Sequence, residues 1–456
     1  MMARSRAAAL VFAVVAALAA VLYFQRLGNV AAPIWDEMYY LPATAHYHEG
    51  RTQFASHPPL GMMLIAAGDM ASGRNAGADW HRIGANYAVH LEEMPPDFDY
   101  TGPRLAPALF GVLAAGIFAL LMFELTGSVA AALVLSLLFL ADTALMVQIR
   151  AAQLDAFQLA FVLGALLAAV HAIRRPGTVS VFLFGFSLAC AALVRANALV
   201  LGVTALFLLW PALRDHDFAQ LWRRIGAGLL GGLAALVLTL SAYIALSPLP
   251  PDPATAAGKA DLAFLQPAHR QALETGHWSP AAVLGVMQGI EAHISSDLAI
   301  TPKSDANGSH PAGWLFGRGA ILYRSNPAQG GQMAIGLMPN LVIWLISLFG
   351  VLTSLLPSRL RESPVRAMLL AGWIANMAML QYLDGLRVLY LYHYLIPLLL
   401  GHAMAALEWR RMGLPRRGAA VLAGLALAWA ALVWPYAMGD VMPPWLCATR
   451  LAPCPA

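Results

Sequence analysis

An adjacent pair of carboxylates, Asp36 and Glu37, follows the first apolar run and is the part of the chain best suited to chemistry. The residues after this pair are polar, aromatic or stiff, namely Tyr39, Tyr40, His46, His48 and the unit His57-Pro58-Pro59. An isolated Asp-Glu pair is usually a helix N-cap or part of a wet loop. With these neighbours, the pair indicates a site that holds a polar ligand, where a carboxylate could take a proton from a hydroxyl.

Further ionisable residues recur near the ends of the later apolar runs. They are Arg104, Asp142, Arg150, Asp155, Arg195, Arg318, Arg324, Asp384, Arg387 and His393. A charge at the bilayer centre costs about 2.5–3.5 kcal/mol, and less near the interface. Either ion pairs that fix a helix bundle or a functional site would explain such a set. The separation of Arg150 from Asp155 does not match an i, i+4 pair, which predicts that each faces another helix.

The composition identifies an integral membrane protein. Of the 456 residues, 60% are hydrophobic and 11% are charged, whereas about a quarter are charged in soluble domains. The basic residues are 26 Arg and two Lys, and they fall in short clusters between apolar runs. Because a nucleic-acid surface needs a basic stripe interleaved with aromatics, this pattern excludes a nucleic-acid partner.

Eleven apolar runs are about long enough to cross a bilayer and predict an all-α polytopic membrane fold. The runs cover 7–25, 104–124, 128–147, 154–173, 178–194, 196–213, 225–247, 336–356, 365–383, 388–408 and 418–437. The runs 178–194 and 196–213 are separated at Arg195 and could form one broken helix. The first run could pass for a secretory signal, but its length and the many later spans predict a retained helix.

The basic residues predict the orientation of the spans. With the N-terminus inside, alternate short connections carry Arg4, Arg6, Arg174, Arg175, Arg214, Arg223, Arg224, Arg359, Arg361, Arg366, Arg410, Arg411, Arg416 and Arg417. This is half of the 28 Lys and Arg residues, as the positive-inside rule expects. The long connections 26–103 and 248–335 and the tail 438–456 are therefore expected to be exoplasmic parts of a single membrane domain, 1–456. In that tail, Cys447 and Cys454 could pair.

The motifs of several enzyme classes are absent from the sequence. It has no nucleophile elbow, Walker loop, GxGxxG after a strand, CxxC or HExxH. A divalent-metal site at His46, His48 and His57 remains an alternative, but alternating histidines without a matched ligand set do not support it. The remaining combination, a carboxylate base with arginines at one face of a membrane bundle, fits group transfer from an anionic, lipid-linked donor.

The order of several motifs resembles the protein O-mannosyltransferase family. These motifs are Asp36-Glu37, His57-Pro58-Pro59-Leu60-Gly61, Arg104 with Pro107-Ala108 and Gly111, Arg150 with Asp155, Ser309-His310-Pro311 with Trp314, and Tyr392-His393-Tyr394. The resemblance covers about 34–400. The sequence is more distantly similar to the enzymes that move aminoarabinose onto lipid A.

The resemblance implies a C-type membrane glycosyltransferase fold with about 11 spans, and an inverting, metal-independent transfer from a polyprenyl-phosphate sugar. It implies Asp36 as the catalytic base and Glu37 as an acceptor-binding or orienting residue. Donor and phosphate-binding roles would fall on Arg104, Arg150, Asp155, Tyr392 and His393. The acceptor or loop side of the site would comprise Tyr39, Tyr40, His57, Pro58, His310 and Trp314.

Two features depart from the family pattern. Met62 follows the HPPLG motif where a basic residue is common, and 248–335 lacks the β-trefoil insertion of eukaryotic relatives. The second departure implies a bacterial enzyme. Together with the orientation predicted from the basic residues, it predicts an inner-membrane protein with a cytoplasmic N-terminus and a periplasmic C-terminus.

The expected function is transfer of a sugar, mannose in this family, to Ser or Thr of an exported protein. Transfer from the same donor to a lipid or glycan is an alternative. A secondary transporter is a third, but the chain shows no inverted repeat.

Overall fold

The first half of the chain is helical, as its apolar runs predict. The computed structural model describes residues 2–175, 177–300, 302, 304–329, 331–413 and 415–448. The N-terminal helices are α1 (Met2–Phe24), α2 (Glu37–His48), α3 (Leu60–Ser72), α4 (Trp80–Ile83) and α5 (Thr101–Thr126), with a 3-10 turn at Leu91–Glu93. The next are α6 (Val129–Leu140), α7 (Thr143–Arg150), α8 (Asp155–Arg174), α9 (Thr178–Val194), α10 (Ala205–Arg214) and α11 (Phe218–Leu246). A 3-10 helix, Ala196–Thr204, leads into α10.

The second half adds a small sheet that the all-α expectation missed. Its elements are α12 (Ala256–Asp261), α13 (Pro267–Thr275), α14 (Pro280–Ile300), α15 (Pro311–Trp314), β1 (Ile321–Ala328), β2 (Gly331–Leu337), α16 (Leu341–Ser354), α17 (Pro357–Glu362), α18 (Pro364–Asp384), a 3-10 turn (Leu391–Tyr394), α19 (Leu395–Met412), α20 (Arg416–Met438), β3 (Val441–Met442) and α21 (Pro444–Ala448). The strands form an antiparallel sheet in the order β1-β2-β3. The span predicted at 336–356 therefore begins before the observed helix α16, because its first two residues are the last residues of β2.

Six helices in the described part of the chain are long and apolar enough to cross a membrane. They are α1, α5, α8, α11, α20 and the continuous helical stretch Ala196–Arg214, and a seventh results if α6 and α7 count as one span with a 67° bend. Every expected run overlaps a helix, but the number of eleven spans stays a prediction. Cys454 and the side chain of Cys447 lie outside the described residues.

The two long connections pack against each other at one end of the helices. The amide of Thr52 donates to the Leu249 carbonyl at 2.7 Å, and the Tyr87 hydroxyl donates to the buried carboxylate of Asp261 at 2.6 Å. At the opposite ends of α5 and α19, basic residues surround two acids. Arg4 lies 2.9 Å from Glu124, and Arg366 and Arg411 lie within 3.0 Å of Glu408. The long connections and the basic clusters therefore occupy opposite ends of the same helices.

A buried ion pair fixes the first long connection to the bundle. The Glu37 side chain is 0% exposed, and Arg104 on α5 is 1% exposed. The Glu37 carboxylate accepts two hydrogen bonds from Arg104, both at 2.8 Å, and one each from the amides of Ile34 and Ala152. The remaining Arg104 N–H groups donate to carbonyls of the connection between α1 and α2, at Leu27, Asn29, Val30 and Ala32. This pair thus sets the path of the chain into α2.

Arg150, the last residue of α7, holds the end of α1. The bend before α7 occurs at Asp142, whose carboxylate accepts from the amides of Ala144 and Leu145 and so caps that helix. The guanidinium of Arg150 donates to the carbonyls of Leu22, Gln25 and Arg26 at 2.9–3.2 Å. Because the last carbonyls of a helix lack partners within it, these contacts complete the C-terminus of α1.

Close helix contacts depend on glycine where α9 crosses α11. A Cβ built on Gly231 would lie 2.1 Å from the Phe182 carbonyl oxygen, whereas one built on Gly226 of the same helix would meet nothing within 4 Å. Small residues allow such backbone approach between membrane helices. The two glycines are therefore a matched pair for testing the packing.

We expect Gly231→Ala to destabilise the fold by about 1–3 kcal/mol, because the added methyl must push α9 away from α11. Gly226→Ala should be neutral or stabilising, since alanine favours a helix by about 0.5–1 kcal/mol over glycine. Thermal unfolding of the purified protein in detergent measures both. Equal unfolding temperatures for the two variants would contradict the close contact.

We expect Glu37→Gln to cost about 3–5 kcal/mol of stability, because it leaves the Arg104 charge buried without a counter-charge. Asp440→Asn is the control, since Asp440 pairs with Arg26, whose side chain is 55% exposed, and exposed pairs contribute about 1 kcal/mol or less. The same unfolding measurement compares them. A Glu37→Gln protein as stable as Asp440→Asn would show that the buried pair is not the anchor.

Candidate active site

Asp36 lies where the first long connection turns into α2. Trp35, the residue before it, has a φ of 51°, a conformation that non-glycine residues rarely adopt and that is often found at functional sites. The Asp36 carboxylate is 21% exposed, whereas that of Glu37 is fully buried and saturated with hydrogen bonds. Of the two adjacent acids, Asp36 is therefore the one that a ligand can reach.

Arg195, between α9 and the following 3-10 helix, is the cation beside Asp36. It is 5% exposed and donates to Asp155 at 3.1 Å and to the Tyr40 hydroxyl at 3.2 Å. Its guanidinium lies 4.0 Å from the Asp36 carboxylate and 5.5 Å from the centre of the Tyr392 ring. The site therefore combines a buried cation with one fixed acid and one accessible acid.

Two arginines of the site have unused donors. The buried Nε atoms of Arg195 and Arg387 have no hydrogen-bond partner among the described residues. Buried polar atoms are nearly always hydrogen-bonded, so these two N–H groups are available to donate to a bound group. Both guanidinium groups act on the charge of Asp36. An anionic group bound here would lie beside the accessible carboxylate.

Aromatic rings surround this charged centre. His57 lies 6.2 Å from Tyr40, centroid to centroid, and His393 stacks on Tyr392 at 4.6 Å and on Trp314 at 6.4 Å. Trp314 is itself held by a hydrogen bond to Ser309 at 2.8 Å. The described rings come from the first connection, the second connection and the turn before α19, so three distant parts of the sequence enclose the site.

The surroundings of Asp36 favour its neutral form more than water does. Burial raises the pKa of the Asp36 carboxyl to about 6, and the Asp155 charge adds to the rise, although Arg195, Arg387 and the Tyr392 hydroxyl oppose it. Burial, followed by the charges of Arg195 and Arg387, lowers the pKa of His57, which leaves its imidazole neutral. A carboxylate with a pKa near neutrality is a more effective proton acceptor than one with an ordinary pKa.

The structure brings together Asp36, Tyr40, His57, Asp155, Tyr392 and His393, with Trp314 behind the histidine. It gives Arg104 and Arg150 other environments, because their N–H groups are occupied by Glu37 and by main-chain carbonyls. These contacts leave Arg104 no free donor for a phosphate, while the phosphate-binding role expected of Arg150 stays a prediction. Arg150 and Asp155 have different partners, because Arg150 contacts the end of α1 and Asp155 contacts Gln148 and Arg195.

Two of the residues expected on the acceptor side, Tyr39 and His310, are exposed. Tyr39 is 51% exposed, and His310 is 84% exposed and lies 3.0 Å from Asp384 at the end of α18. Pro58 precedes α3. His48 lies 3.1 Å from Asp69 and stacks on Trp80, apart from His57. In the described part of the chain, no group of three or more His, Cys, Asp or Glu is placed to hold a metal ion.

Sequence reasoning assigned no site role to Arg195 or Arg387. Both had been noted only as charges near the ends of apolar runs. The signal for Arg195 was the break that it makes between 178–194 and 196–213, and that for Arg387 was its position just before Tyr392 and His393. Neither signal identifies Asp36 as the neighbour, because that contact forms only in the folded chain.

The sequence is similar to proteins of a known family. A family model described as dolichyl-phosphate-mannose-protein mannosyltransferase matches residues 13–248. Protein O-mannosyl-transferase 1 of Mus musculus is 30% identical over 228 residues, which are 47% of this chain and 29% of that protein. The human protein of the same name is 30% identical over 210 residues, 43% of this chain and 27% of that protein. The matched part thus spans less than a third of the length of these relatives.

Solved structures share the fold over nearly the whole chain. The S. cerevisiae protein O-mannosyltransferase Pmt1-Pmt2 complex bound to the sugar donor has a TM-score of 0.74 at 13% identity, with 97% of this chain and 91% of that chain covered. The archaeal oligosaccharyltransferase AglB from Archaeoglobus fulgidus has a TM-score of 0.53 at 12% identity, with 97% and 57% covered. The expected C-type membrane glycosyltransferase fold is therefore confirmed.

The family model matches more than half of the chain, and the matched part contains Asp36, Asp155 and Arg195. This chain therefore belongs to the dolichyl-phosphate-mannose-protein mannosyltransferase family.

Proposed function

We propose that this protein transfers mannose from a polyprenyl-phosphate donor to a Ser or Thr hydroxyl of an exported protein, at the exoplasmic face of a bacterial inner membrane. Family membership supports the donor and the reaction class. The observation that carries the proposal is the accessible carboxylate of Asp36 beside two arginines whose buried Nε atoms lack partners. An acid and a phosphate-binding pair are what such a transfer needs.

In the proposed reaction, the acceptor oxygen attacks the anomeric carbon of the sugar from the face opposite the phosphate. The bond from that carbon to the phosphate oxygen breaks, so the configuration inverts, and the acceptor proton moves to Asp36. Arg195 and Arg387 stabilise the charge that develops on the departing lipid phosphate. The aromatic rings of Tyr392 and His393 border the same space.

The other expected residues support this centre. Glu37 and Arg104 act as positioning residues, because their mutual hydrogen bonds fix the backbone at the start of α2. Asp155 holds Arg195 through a 3.1 Å hydrogen bond. We assign Tyr39 and His310 to the acceptor side because both are exposed, whereas the buried Trp314 supports the site by packing on His393.

The proposed orientation places the Asp36 end of the bundle outside and the arginine clusters around Glu124 and Glu408 inside. This arrangement follows the positive-inside rule. It leaves the N-terminus in the cytoplasm and the tail after α20 in the periplasm.

Product analysis separates the proposed acceptor from the lipid or glycan alternative. Purified protein is incubated with membranes, a lysate and polyprenyl-phosphate mannose carrying a radiolabel. We expect the label to enter protease-sensitive material as O-linked mannose. Label that partitions into the organic phase in a compound other than the donor would contradict a protein acceptor.

We expect Asp36→Asn to lower the transfer rate by about 10²–10⁴-fold, the usual contribution of a general base. The protein should still fold, because Asp36 is partly exposed and Glu37 keeps the anchor. Asp440→Asn, which alters an acid far along the sequence that pairs with Arg26, is the matched control and should transfer at the wild-type rate. Unchanged transfer by Asp36→Asn would remove Asp36 from the mechanism.

The pH dependence of kcat/KM should report the ionisation of Asp36. Asp36 accepts a proton only when ionised, so kcat/KM should be low below its pKa of about 6 and reach a plateau above it. Arg387→Gln should move this midpoint to higher pH, because it removes a positive charge that favours the ionised form. A profile that is flat from pH 5 to pH 7 (about one unit on either side of the midpoint) would contradict the assignment.

A further inference from the structure

The β1-β2 hairpin of the second connection sends one side chain towards the charged centre. Its pairing shifts between Leu322 and Arg324, which makes Tyr323 the extra residue of a β-bulge. Bulges change the direction in which a side chain points and are common near active sites. The Tyr323 ring stacks on Trp35 with a centroid distance of 4.9 Å and an interplanar angle of 22°. The hairpin thus contacts the residue that precedes Asp36.

The hydroxyl of Tyr323 begins a chain of hydrogen bonds that ends at Arg195. It donates to the side-chain oxygen of Gln148 on α7 at 2.9 Å. The amide nitrogen of Gln148 donates to one oxygen of Asp155 at 3.1 Å. The other oxygen of Asp155 accepts from Arg195 at 3.1 Å. Gln148 is 0% and Asp155 is 3% exposed, so water has little access to replace these bonds.

Each hydrogen bond in this chain orients the next group. With its oxygen accepting from Tyr323, the Gln148 amide presents its NH2 group to Asp155. Asp155 then keeps one oxygen for Gln148 and the other for Arg195. Without the Tyr323 hydroxyl, the amide loses the contact that fixes its orientation. Asp155 would then depend more on Arg195, and the guanidinium would be drawn away from Asp36.

We propose that Tyr323 is a positioning residue for the transfer reaction, acting through Gln148 and Asp155 on the Arg195 guanidinium. This inference rests on the proposed function and extends it, because it makes the hairpin of the second connection a required part of the Asp36 site. Tyr323 fixes the site from two directions. Its ring packs on the strained Trp35. Its hydroxyl begins the chain of hydrogen bonds through Gln148 and Asp155 to Arg195, which we call the relay.

The test compares two tyrosines, one in the hairpin and one that contacts it. Tyr323→Phe keeps the ring on Trp35 and removes only the relay hydroxyl. Tyr436→Phe removes the hydroxyl that donates to the Ile321 carbonyl at 2.8 Å, which is outside the relay. We expect Tyr323→Phe to lower kcat/KM for transfer from polyprenyl-phosphate mannose about tenfold, the scale of one buried hydrogen bond. Tyr436→Phe should stay within about twofold of wild type, even if both variants unfold at lower temperature.

Two further readouts separate positioning from loss of stability. The low-pH midpoint of kcat/KM should move upward in Tyr323→Phe, because Arg195 would favour ionised Asp36 less, and should not move in Tyr436→Phe. The double variant Tyr323→Phe with Gln148→Leu should be no slower than Gln148→Leu alone, since both changes break the same chain of hydrogen bonds.

Equal rates or unshifted midpoints in the two tyrosine variants, or additive losses in the double variant, would overturn the relay. If the wild-type protein itself transferred no mannose, the proposed function would fail and the relay with it.

Discussion

The burial of Arg195 is the constraint on which the site depends. A guanidinium removed from water needs counter-charge and hydrogen bonds, and without them its burial would cost several kcal/mol. Asp155 at the start of α8 supplies the counter-charge and a hydrogen-bond acceptor, and the Tyr40 hydroxyl on α2 supplies a second acceptor. Both must therefore reach the break between α9 and the 3-10 helix. Asp36 lies at the edge of this arrangement. It is close enough for the Arg195 charge to stabilise its carboxylate, but it is still accessible to a ligand.

The neighbouring acid Glu37 shows how sequence-adjacent residues can differ in role. Its carboxylate is saturated by Arg104 and two backbone amides, so it has little capacity to bind a substrate. That saturation lets the chain hold Trp35 in a strained conformation and hold Asp36 away from full solvation. The buried ion pair anchors the chain next to Trp35 and Asp36, while burial raises the pKa of the accessible Asp36 carboxyl.

The sequence predicted the parts of this protein that depend on local patterns. Long apolar runs gave the helices, and the acidic pair followed by the His57-Pro58 unit and the later Tyr392-His393 pair marked the residues around the site. It did not predict the three-stranded sheet, because β1 and β2 lie in a segment without clear alternation of apolar and polar residues. It also could not pair Glu37 with Arg104, or Asp36 with Arg195, because nothing in the spacing of such distant residues indicates contact.

The proposed mechanism requires that the space between Asp36 and the Arg195–Arg387 pair holds the phosphate and sugar of a lipid-linked donor. The most direct measurement is an experimental structure of the full chain with polyprenyl-phosphate mannose bound. We expect the donor phosphate to lie within hydrogen-bond distance of Arg195, with the anomeric carbon facing Asp36. A donor phosphate bound at the opposite end of the helices, near Glu124 or Glu408, would contradict the account.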